Sequence, residues 1–341
     1  MGRHLVTIDG SAAGADRATI ERLLAEGTLL WLDLGEPDND DLALLRDLFG
    51  VHPLALRDVA EFGQRPKIED YGDVTYLVVY GARPFAEPLV EVHCLYSERF
   101  LVTARRDHCP EFDELKRYLA DQGWPGGQPA AIPLRGAQQP GPPQPGGSRP
   151  VRLILLHHVL DSLFGSFFPA LSDFDDRIDA LQERIFARPT DEELVAMFSM
   201  QRWLVSLRKL VTPQRDMLAS LASGVATLPG MTPAGGPYVR SLYDHLIRVS
   251  DLVDSYRDLL SNAMGAYLST VSNRLNSVMK QLTVIATVFL PLSFLTGFFG
   301  QNFGWLDDHL ASLATFIVLG LGTEVLVVSG LFLLFRRRHW L

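Results

Sequence analysis

The sequence is poor in the residues and motifs that organise disulfide-linked proteins and many enzymes. It has only two cysteines, Cys94 and Cys109, with no CxxC pair and no group of histidines beside them. This excludes a disulfide framework and a structural zinc site. It also lacks a Walker loop, a GxGxxG loop, an HExxH helix and a nucleophile elbow. His157 and His158 lie in an apolar helical pattern, where packed histidines are commoner than ligands. We therefore expect no enzymatic activity and no bound cofactor.

The chain is also short of positive charge. It has 31 Lys and Arg against 40 Asp and Glu, which gives a net charge of −9, and no basic block occurs before the C-terminus. Because nucleic-acid binding needs a basic surface, this charge balance argues against nucleic acid as a main partner. A cationic ligand fits the sign of the charge better.

Long apolar runs are missing from most of the chain and are concentrated near its end. Residues 282–299 carry no charge, and residues 313–335 carry one, Glu324. A bilayer core needs about 20 apolar residues in a helix, so each run predicts a membrane span once its flanking residues are counted. We assign the spans to residues 281–299 and 313–335. A pair of buried core helices is the competing interpretation, but such runs rarely lie so close together in one core.

The charges beside the two spans predict their orientation. Lys280 precedes the first span, and the tail after the second span, residues 336–341, begins with three arginines. The connecting loop, residues 300–312, has no Lys or Arg and contains Asp307 and Asp308. By the positive-inside rule, we expect a multi-pass protein of the plasma membrane with both termini in the cytoplasm. The two loop carboxylates then lie where an incoming cation arrives.

Residues 1–237 are predicted to form a cytoplasmic domain that begins as an α/β unit. Helices are expected at 16–26 and 38–49, each of which opens with an acidic N-cap candidate. Strand-like composition predicts strands at 29–34, 74–80, 89–96 and 100–104. Residues 123–150 are rich in Gly and Pro, which predicts a flexible insertion.

A helical pattern dominates the rest of the chain. Helices are expected at 153–187 and 191–222, and a third begins near Tyr238 and meets no helix breaker before Pro291. If this helix continues through the first span, it is about 90 Å long at 1.5 Å per residue. No globular core buries that length, so residues 238–280 are predicted to be a stalk. The predicted fold class is an α+β membrane protein: a cytoplasmic α/β domain, a long stalk helix and two C-terminal transmembrane helices.

One face of the long helix is small or polar along its length. The positions that share this face, by steps of three, four and seven residues, are Gly297, Ser293, Leu290, Ala286, Thr283, Met279, Asn276, Ser272, Ser269, Gly265, Asn262, Asp258, Asp251 and Asp244. Small residues at this spacing suit either a pore lining or close packing of membrane helices. For the three aspartates, a solvated outer face is also open. Carboxylates stacked in register favour the pore, because like charges repel unless cations or water lie between them.

Two helices cannot enclose an aqueous path, so a pore built from this chain requires a homo-oligomer embedded in the lipid bilayer. A membrane-anchored sensor is the alternative of a different class. Its stalk would only dimerise, and it would conduct nothing.

The chemistry of the face suits Mg2+ as the transported ion. Mg2+ releases its water reluctantly, so it is better selected by amide and carbonyl oxygens that bind its hydration shell than by a ligand cage. Asn276 and Asn302 offer such oxygens as rings. An apolar constriction that gates by dewetting is expected at Met279, Leu282, Ala286 and Leu290. We expect Asp244, Asp251 and Asp258 to bind or concentrate metal cations in the cytoplasmic funnel.

Glu324 is an ionisable residue in the middle of the second span. Such a residue is costly in a membrane and is by default a functional candidate. Two interpretations remain open: a proton-linked role in transport, or a protonated carboxyl that bonds a nearby hydroxyl such as that of Thr323 or Ser329.

Three stretches resemble the CorA family of magnesium transporters. Residues 267–303, YLSTVSNRLNSVMKQLTVIATVFLPLSFLTGFFGQNF, resemble the family's pore helix, which ends at a Gly-Met-Asn motif. Residues 52–73, HPLALRDVAEFGQRPKIEDYGD, resemble a signature of its cytoplasmic domain, and the basic C-terminus ending in Trp340 and Leu341 is also similar. The resemblance covers nearly the whole chain except the Gly/Pro-rich stretch.

The resemblance implies a funnel-shaped homopentamer with an α/β/α cytoplasmic domain that transports Mg2+, with Co2+ and Ni2+ as further ions. It implies that Gly300 and Asn302 form the outer selectivity ring. The conduit would be lined by Asn276, Met279, Leu282, Ala286, Leu290 and Ser293.

The motif departs from the family pattern at its middle residue, because Gln301 stands where the family has Met. The related zinc-transporting branch, the ZntB-like proteins, also varies this residue. Uptake of Zn2+, with proton coupling as an option, is therefore the alternative function. The loop also lacks the family's Met-Pro-Glu-Leu run, and Asp307 or Asp308 would take over its acidic role.

Overall fold

The computed structural model describes residues 2–7, 12–13, 15–83, 85, 89–122, 151–187, 189–301, 304 and 312–338. The predicted insertion at 123–150 lies outside these residues. The chain divides into two compact units. The first comprises Met1–Arg184 and Thr190–Asn262, and the second comprises Ile185–Pro189 and Ala263–Leu341.

The first unit contains a seven-stranded mixed sheet with the strand order β2-β1-β3-β7-β6-β5-β4. Its strands are β1 Arg3–Thr7, β2 Ala12–Ala13, β3 Leu30–Gly35, β4 Lys67–Asp70, β5 Val74–Gly81, β6 Val90–Ser97 and β7 Phe100–Arg105. Strands β3 and β7 pair in parallel, with Leu32 beside Val102, and all other pairs of described strands are antiparallel. The four predicted strands correspond to β3, β5, β6 and β7 and are confirmed.

Helices cover both faces of this sheet. The described helices of the domain are α1 Arg17–Ala25, α2 Asn39–Asp47, α3 Pro53–Glu61, α4 Pro110–Gln122, α5 Val151–Gly165, α6 Phe167–Ala187 and α7 Asp191–Ala222. Leu23, Leu44 and Val59 from the first three helices share a buried cluster with Tyr76 and Val78 of β5. Since neighbouring strand residues point to opposite faces, Leu77 faces the other side, where a small cavity is lined by residues of α5 and α7.

Local capping explains where the first helices begin. The Asp16 side chain accepts a hydrogen bond from the backbone N–H of Thr19 at 2.8 Å, and Asp38 and Asp41 form a capping box. Both contacts satisfy backbone donors that a helix leaves free in its first turn. The predicted helices at 16–26 and 38–49 are confirmed as α1 and α2.

The prediction of a single helix at 153–187 is wrong, because the helix is interrupted at Ser166, between α5 and α6. The Ser166 hydroxyl accepts the backbone N–H of Ala82 at 2.7 Å, just after β5 ends. A Cβ at Gly81 would lie 2.5 Å from Leu163 Cδ1. Tertiary contact with the end of β5, which the helical pattern of the sequence does not register, therefore accompanies this break.

Helix α8 spans Gly236–Phe299, 64 residues without interruption, as expected for the predicted long helix. Its residues up to Asn262 belong to the first unit and those from Ala263 onward to the second. In the second unit, a helical turn at Leu313–Thr315 and a π-helical stretch at Phe316–Leu321 lead into α9, Gly322–Arg337.

Among the described residues, three helical stretches are long and apolar enough to cross a membrane, whereas the sequence predicted two spans. In the additional stretch, Val151–Ala187, 78% of an apolar 18-residue segment is buried inside the domain. The corresponding segments of Pro233–Phe299 and Leu313–Arg337 are 0% buried. Burial therefore separates a core-forming stretch from two helices whose most apolar segments contain no buried residue.

Candidate cation pathway

The predicted pore-lining residues all lie on α8 in the second unit, and each is exposed in the single chain. They are Asn276, Met279, Leu282, Thr283, Ala286, Leu290, Ser293 and Gly297. Exposure alone does not distinguish them, because large apolar residues such as Phe289 and Phe294 are also exposed.

A second set of residues on the same stretch is partly covered. These residues are Val284, Thr287, Val288, Pro291, Leu292, Leu295 and Phe299. At 3.6 residues per turn, their mean direction is roughly opposite to that of the predicted pore face. The first span therefore has a partly covered side and, on its far side, a face of small and weakly polar residues.

A hydrogen bond connects the two candidate spans. The Thr296 hydroxyl on α8 lies 3.1 Å from Glu324 Oε1 on α9. The sequence suggested Thr323 or Ser329 as the partner of Glu324, but the Thr323 hydroxyl bonds the backbone carbonyls of Leu319 and Gly320. Thr296 has no distinguishing signal in the sequence, since the pairing depends on how the two helices lie side by side.

The C-terminal end of α8 explains why the predicted selectivity motif has a glycine at position 300. The Gly300 N–H donates to the Thr296 carbonyl at 2.9 Å, and the Gln301 N–H donates to that of Phe298 at 3.3 Å. A Cβ at Gly300 would lie 3.0 Å from the Thr296 carbonyl oxygen, which is tighter than ordinary contact. Gln301 is exposed. Three other predicted residues, Asn302, Asp307 and Asp308, lie outside the described residues.

The three stalk aspartates lie on the part of α8 that belongs to the first unit. Asp244, Asp251 and Asp258 are all exposed, and Asp258 lies 3.1 Å from the neighbouring Arg257. Other sides of this stretch carry buried residues such as Leu246 and Val253. Successive aspartates are about 10 Å apart along the axis, and no group of three His, Cys, Asp or Glu among the described residues is positioned to hold a metal. One chain alone therefore does not bring these aspartates together as ligands.

The domain also buries ionisable groups that the sequence did not single out. Asp33 on β3 contacts Arg105 at 2.9 Å and Lys116, and all three side chains are largely buried. His245 Nδ1 on α8 lies 2.9 Å from Asp161 Oδ1 on α5. An aspartate inside an apolar strand, as in LWLDLG around Asp33, is the sequence signal that could have marked the first of these groups.

His157 is buried, as expected for a packed residue. Its ring lies against those of His158 and Tyr238, with centroids 5.6 and 5.4 Å away. Burial lowers the pKa of His157 to about 4, so the ring is neutral at neutral pH. Burial also lowers the pKa of His158.

Comparisons with known proteins agree with this architecture. Residues 26–337 match the family model described as CorA-like Mg2+ transporter protein. The cobalt/magnesium transport protein CorA of Thermotoga maritima is 31% identical over 316 residues, which cover 92% of this chain and 84% of that protein. The zinc transport protein ZntB of Yersinia enterocolitica is 26% identical over 328 residues, covering 91% of this chain and 88% of that protein.

The complete structure of the CorA magnesium transporter from Methanocaldococcus jannaschii has the same fold. It superposes with a TM-score of 0.77 at 20% identity and covers 100% of this chain and 99% of that one. The predicted fold class, an α/β domain followed by a long helix and two C-terminal apolar helices, is confirmed.

Proposed function

The chain belongs to the family of CorA-like Mg2+ transporter proteins, and we propose that it conducts Mg2+ across the plasma membrane through a central pore formed by a homopentamer. Co2+ and Ni2+ are the expected further ions. The divalent cation is the cargo of the protein, and we propose no resident cofactor.

The main support for this proposal is that the first span has a partly covered side and, opposite to it, a face of small and weakly polar residues. Ala286, Leu290, Ser293 and Gly297 lie away from the partly covered side of α8. When several copies gather around an axis with this face inward, each second span is left at the outside, where its apolar surface meets lipid. A closed ring of such helices encloses water, which two helices of one chain cannot do.

The inward face has the chemistry that a hydrated Mg2+ ion needs. Asn276 offers an amide oxygen at the cytoplasmic end, and by the family motif Asn302 offers another at the outer end. Rings of amide oxygens can bind the hydration shell without stripping it, which suits an ion that loses water reluctantly. Between them, the apolar side chains of Met279, Leu282 and Leu290 are proposed to form a constriction that closes by dewetting.

The charges of the chain support the proposed orientation. Lys280 before the first span and Arg336–Arg338 after the second lie at the ends that we assign to the cytoplasm. Asp244, Asp251 and Asp258 then face the funnel below the pore. Repeated around an axis, these carboxylates would raise the local concentration of cations.

Uptake of Zn2+ is the second candidate function, and Gln301 is the observation that favours it. The residue between Gly300 and Asn302 is a polar amide here, whereas the magnesium pattern has Met. A changed ring at the mouth of a pore alters which hydrated ion is bound there.

Uptake by the full-length protein in liposomes tests the proposal. We expect uptake of Mg2+ without a pH gradient, inhibited by Co2+, and a pentamer by native mass measurement. Uptake of Zn2+ that requires an inward proton gradient, with no uptake of Mg2+, would favour the zinc alternative. A dimer without ion flux would refute transport and favour the anchored sensor.

A further inference from the structure

Thr296 occupies an unusual position between two acceptors. Its Oγ1 lies 2.7 Å from the carbonyl oxygen of Leu292, one turn earlier on α8, and 3.1 Å from Oε1 of Glu324 on α9. Both distances lie within hydrogen-bonding range. The threonine hydroxyl therefore contacts its own helix and the second span at the same time.

Counting hydrogens decides which group donates to which. A threonine hydroxyl carries one hydrogen, and a backbone carbonyl only accepts. The shorter contact, at 2.7 Å, takes the hydroxyl hydrogen, and a hydrogen shared between the two acceptors would leave the 3.1 Å contact with Glu324 weak. The contact with Glu324 then needs a hydrogen from the carboxyl group. An ionised carboxylate has none to give.

We propose that Glu324 is a proton-binding site inside the membrane-spanning part of the protein, and that its bound proton forms the hydrogen bond to Thr296 that joins the two spans. The carboxyl O–H donates, Thr296 Oγ1 accepts, and the Thr296 hydroxyl donates onward to Leu292. Release of the proton to water leaves only one hydrogen for two acceptors, so one of the two contacts is lost.

The charged residues nearest to Glu324 along the two spans are far from it. Among the described residues of the two spans, Glu324 is the only acidic or basic side chain before the flanking cations. Lys280 lies sixteen residues before Thr296 and Arg336 lies twelve residues after Glu324, which at 1.5 Å per residue is about 24 Å and about 18 Å along the helices. Neither cation can neutralise a carboxylate at this depth, and an unpaired charge there is costly.

This inference deepens the proposed function, because it rests on the membrane location of both helices, but it does not depend on which ion is carried. It gives Glu324 a partner and a hydrogen-bond direction, which makes the site a point where pH acts on the contact between the spans. Thr296 is next to Gly297 of the proposed pore face. Loss of the bond would thus loosen the pore-lining helix from its neighbour.

Infrared spectroscopy of the full-length protein in liposomes tests the proposal, because protonated and ionised carboxyl groups absorb at separate C=O frequencies. At neutral pH we expect a protonated-carboxyl band that Glu324→Gln removes. Thr296→Val should shift this band to higher frequency, since a free carboxyl absorbs above a hydrogen-bonded one. Thr323→Val is the matched control, because it removes a neighbouring hydroxyl that bonds only backbone carbonyls in the structure, and it should leave the band in place.

Two results would overturn the proposal. One is that Glu324→Gln removes an ionised carboxylate band instead. The other is that Thr296→Val leaves the protonated band unmoved. Should the Gln variant not assemble, isotope-labelled glutamate in the wild-type protein must shift the same band, and an unshifted band refutes the assignment. The spectrum is recorded without ion flux. A failed uptake assay would therefore contradict the proposed function but would not affect this test of Glu324.

Discussion

The carboxylate of Asp33 on β3 lies 2.9 Å from the Arg105 guanidinium on the neighbouring strand β7, inside the sheet of the first unit. Lys116 reaches the same carboxylate, and the Thr103 hydroxyl donates to its other oxygen at 2.7 Å. Burial raises the pKa of Asp33, but the charges of Lys116 and Arg105 outweigh this effect and hold the pKa below its usual value. The group is therefore an ionised, paired carboxylate in the interior.

Asp33→Asn should destabilise the domain strongly, because two cations stay behind without their partner. Breaking a buried ion pair in this way costs about 3–5 kcal/mol. The measurement is urea unfolding of the full-length protein in detergent, followed by tryptophan fluorescence. Asp47→Asn is the control: it breaks exposed contacts with Arg46 and Arg17, which water and salt screen, so it should cost far less than Asp33→Asn. Equal losses in the two variants would contradict the structural role of Asp33.

His157 should make the stability of the domain depend on pH. Its folded-state pKa of about 4 lies below the value of about 6.5 expected in the unfolded chain. The unfolded state binds more protons between these values, so stability falls as pH is lowered through this window, by about 3 kcal/mol in all. His157→Leu should flatten the dependence of the urea midpoint on pH between about 6.5 and 4.

His108→Gln is the control for this measurement, because His108 is an exposed histidine of the same domain. It should leave the pH dependence as it is in the wild type. An unchanged dependence in His157→Leu would show that the buried ring is not the group that titrates.

Gly81→Ala should destabilise the domain by about 1–3 kcal/mol, the usual cost of overpacking. The added Cβ would lie 2.5 Å from Leu163 Cδ1 and 3.0 Å from the Ser166 hydroxyl, at the break between α5 and α6. Gly165→Ala, where a Cβ meets nothing within 4 Å, is the matched control and should be close to neutral. Thermal unfolding followed by circular dichroism compares the two variants. Equal midpoints would show that Leu163 and Ser166 can shift to accommodate the added methyl group.

Much of the fold follows from local signals in the sequence. The strands β5, β6 and β7 are rich in β-branched and aromatic residues, β3 is a short apolar run, and acidic caps mark α1 and α2. Strand β4 has no clear signal in the sequence, because KIED is a short polar edge strand, and α3 has none either, because it begins at Pro53 after a histidine cap. The break at Ser166 and the buried state of 151–187 depend on tertiary contacts, which periodicity does not encode.

The sequence predicts the residues of the candidate pathway better than it predicts the contacts between the two spans. The face from Met279 to Gly297 follows from helical spacing alone, and the structure places it away from the partly covered side of α8. The bond from Glu324 to Thr296 could not be predicted, because it depends on the relative height of two separate helices. The pore-lining and selectivity roles stay predictions.

Replacing Asp244, Asp251 and Asp258 together by Asn should lower the initial rate of Mg2+ uptake several-fold at low ionic strength. The three carboxylates are exposed on α8, and clustered charge raises the local cation concentration only where salt does not screen it. The difference from wild type should therefore shrink as monovalent salt is added. Liposome flux at several salt concentrations measures this.

The matched control replaces Glu21 by Gln and Asp40 and Asp47 by Asn, three exposed carboxylates of α1 and α2, which changes the net charge equally without touching α8. This variant should transport at the wild-type rate. Equal loss in both variants would point to net charge, and no loss in the first variant would remove the stalk aspartates from the account.

Thiol labelling of the first span tests the central claim most directly. The native thiols will not interfere, because Cys94 and Cys109 are fully buried and burial raises the pKa of each. We expect Ala286→Cys and Ser293→Cys to react with a small, charged, membrane-impermeant thiol reagent and to lose Mg2+ uptake as they react. Val288→Cys and Leu295→Cys, on the partly covered side, should remain unlabelled and active. Labelling of the second pair with protection of the first would contradict a pore lined by this face of α8.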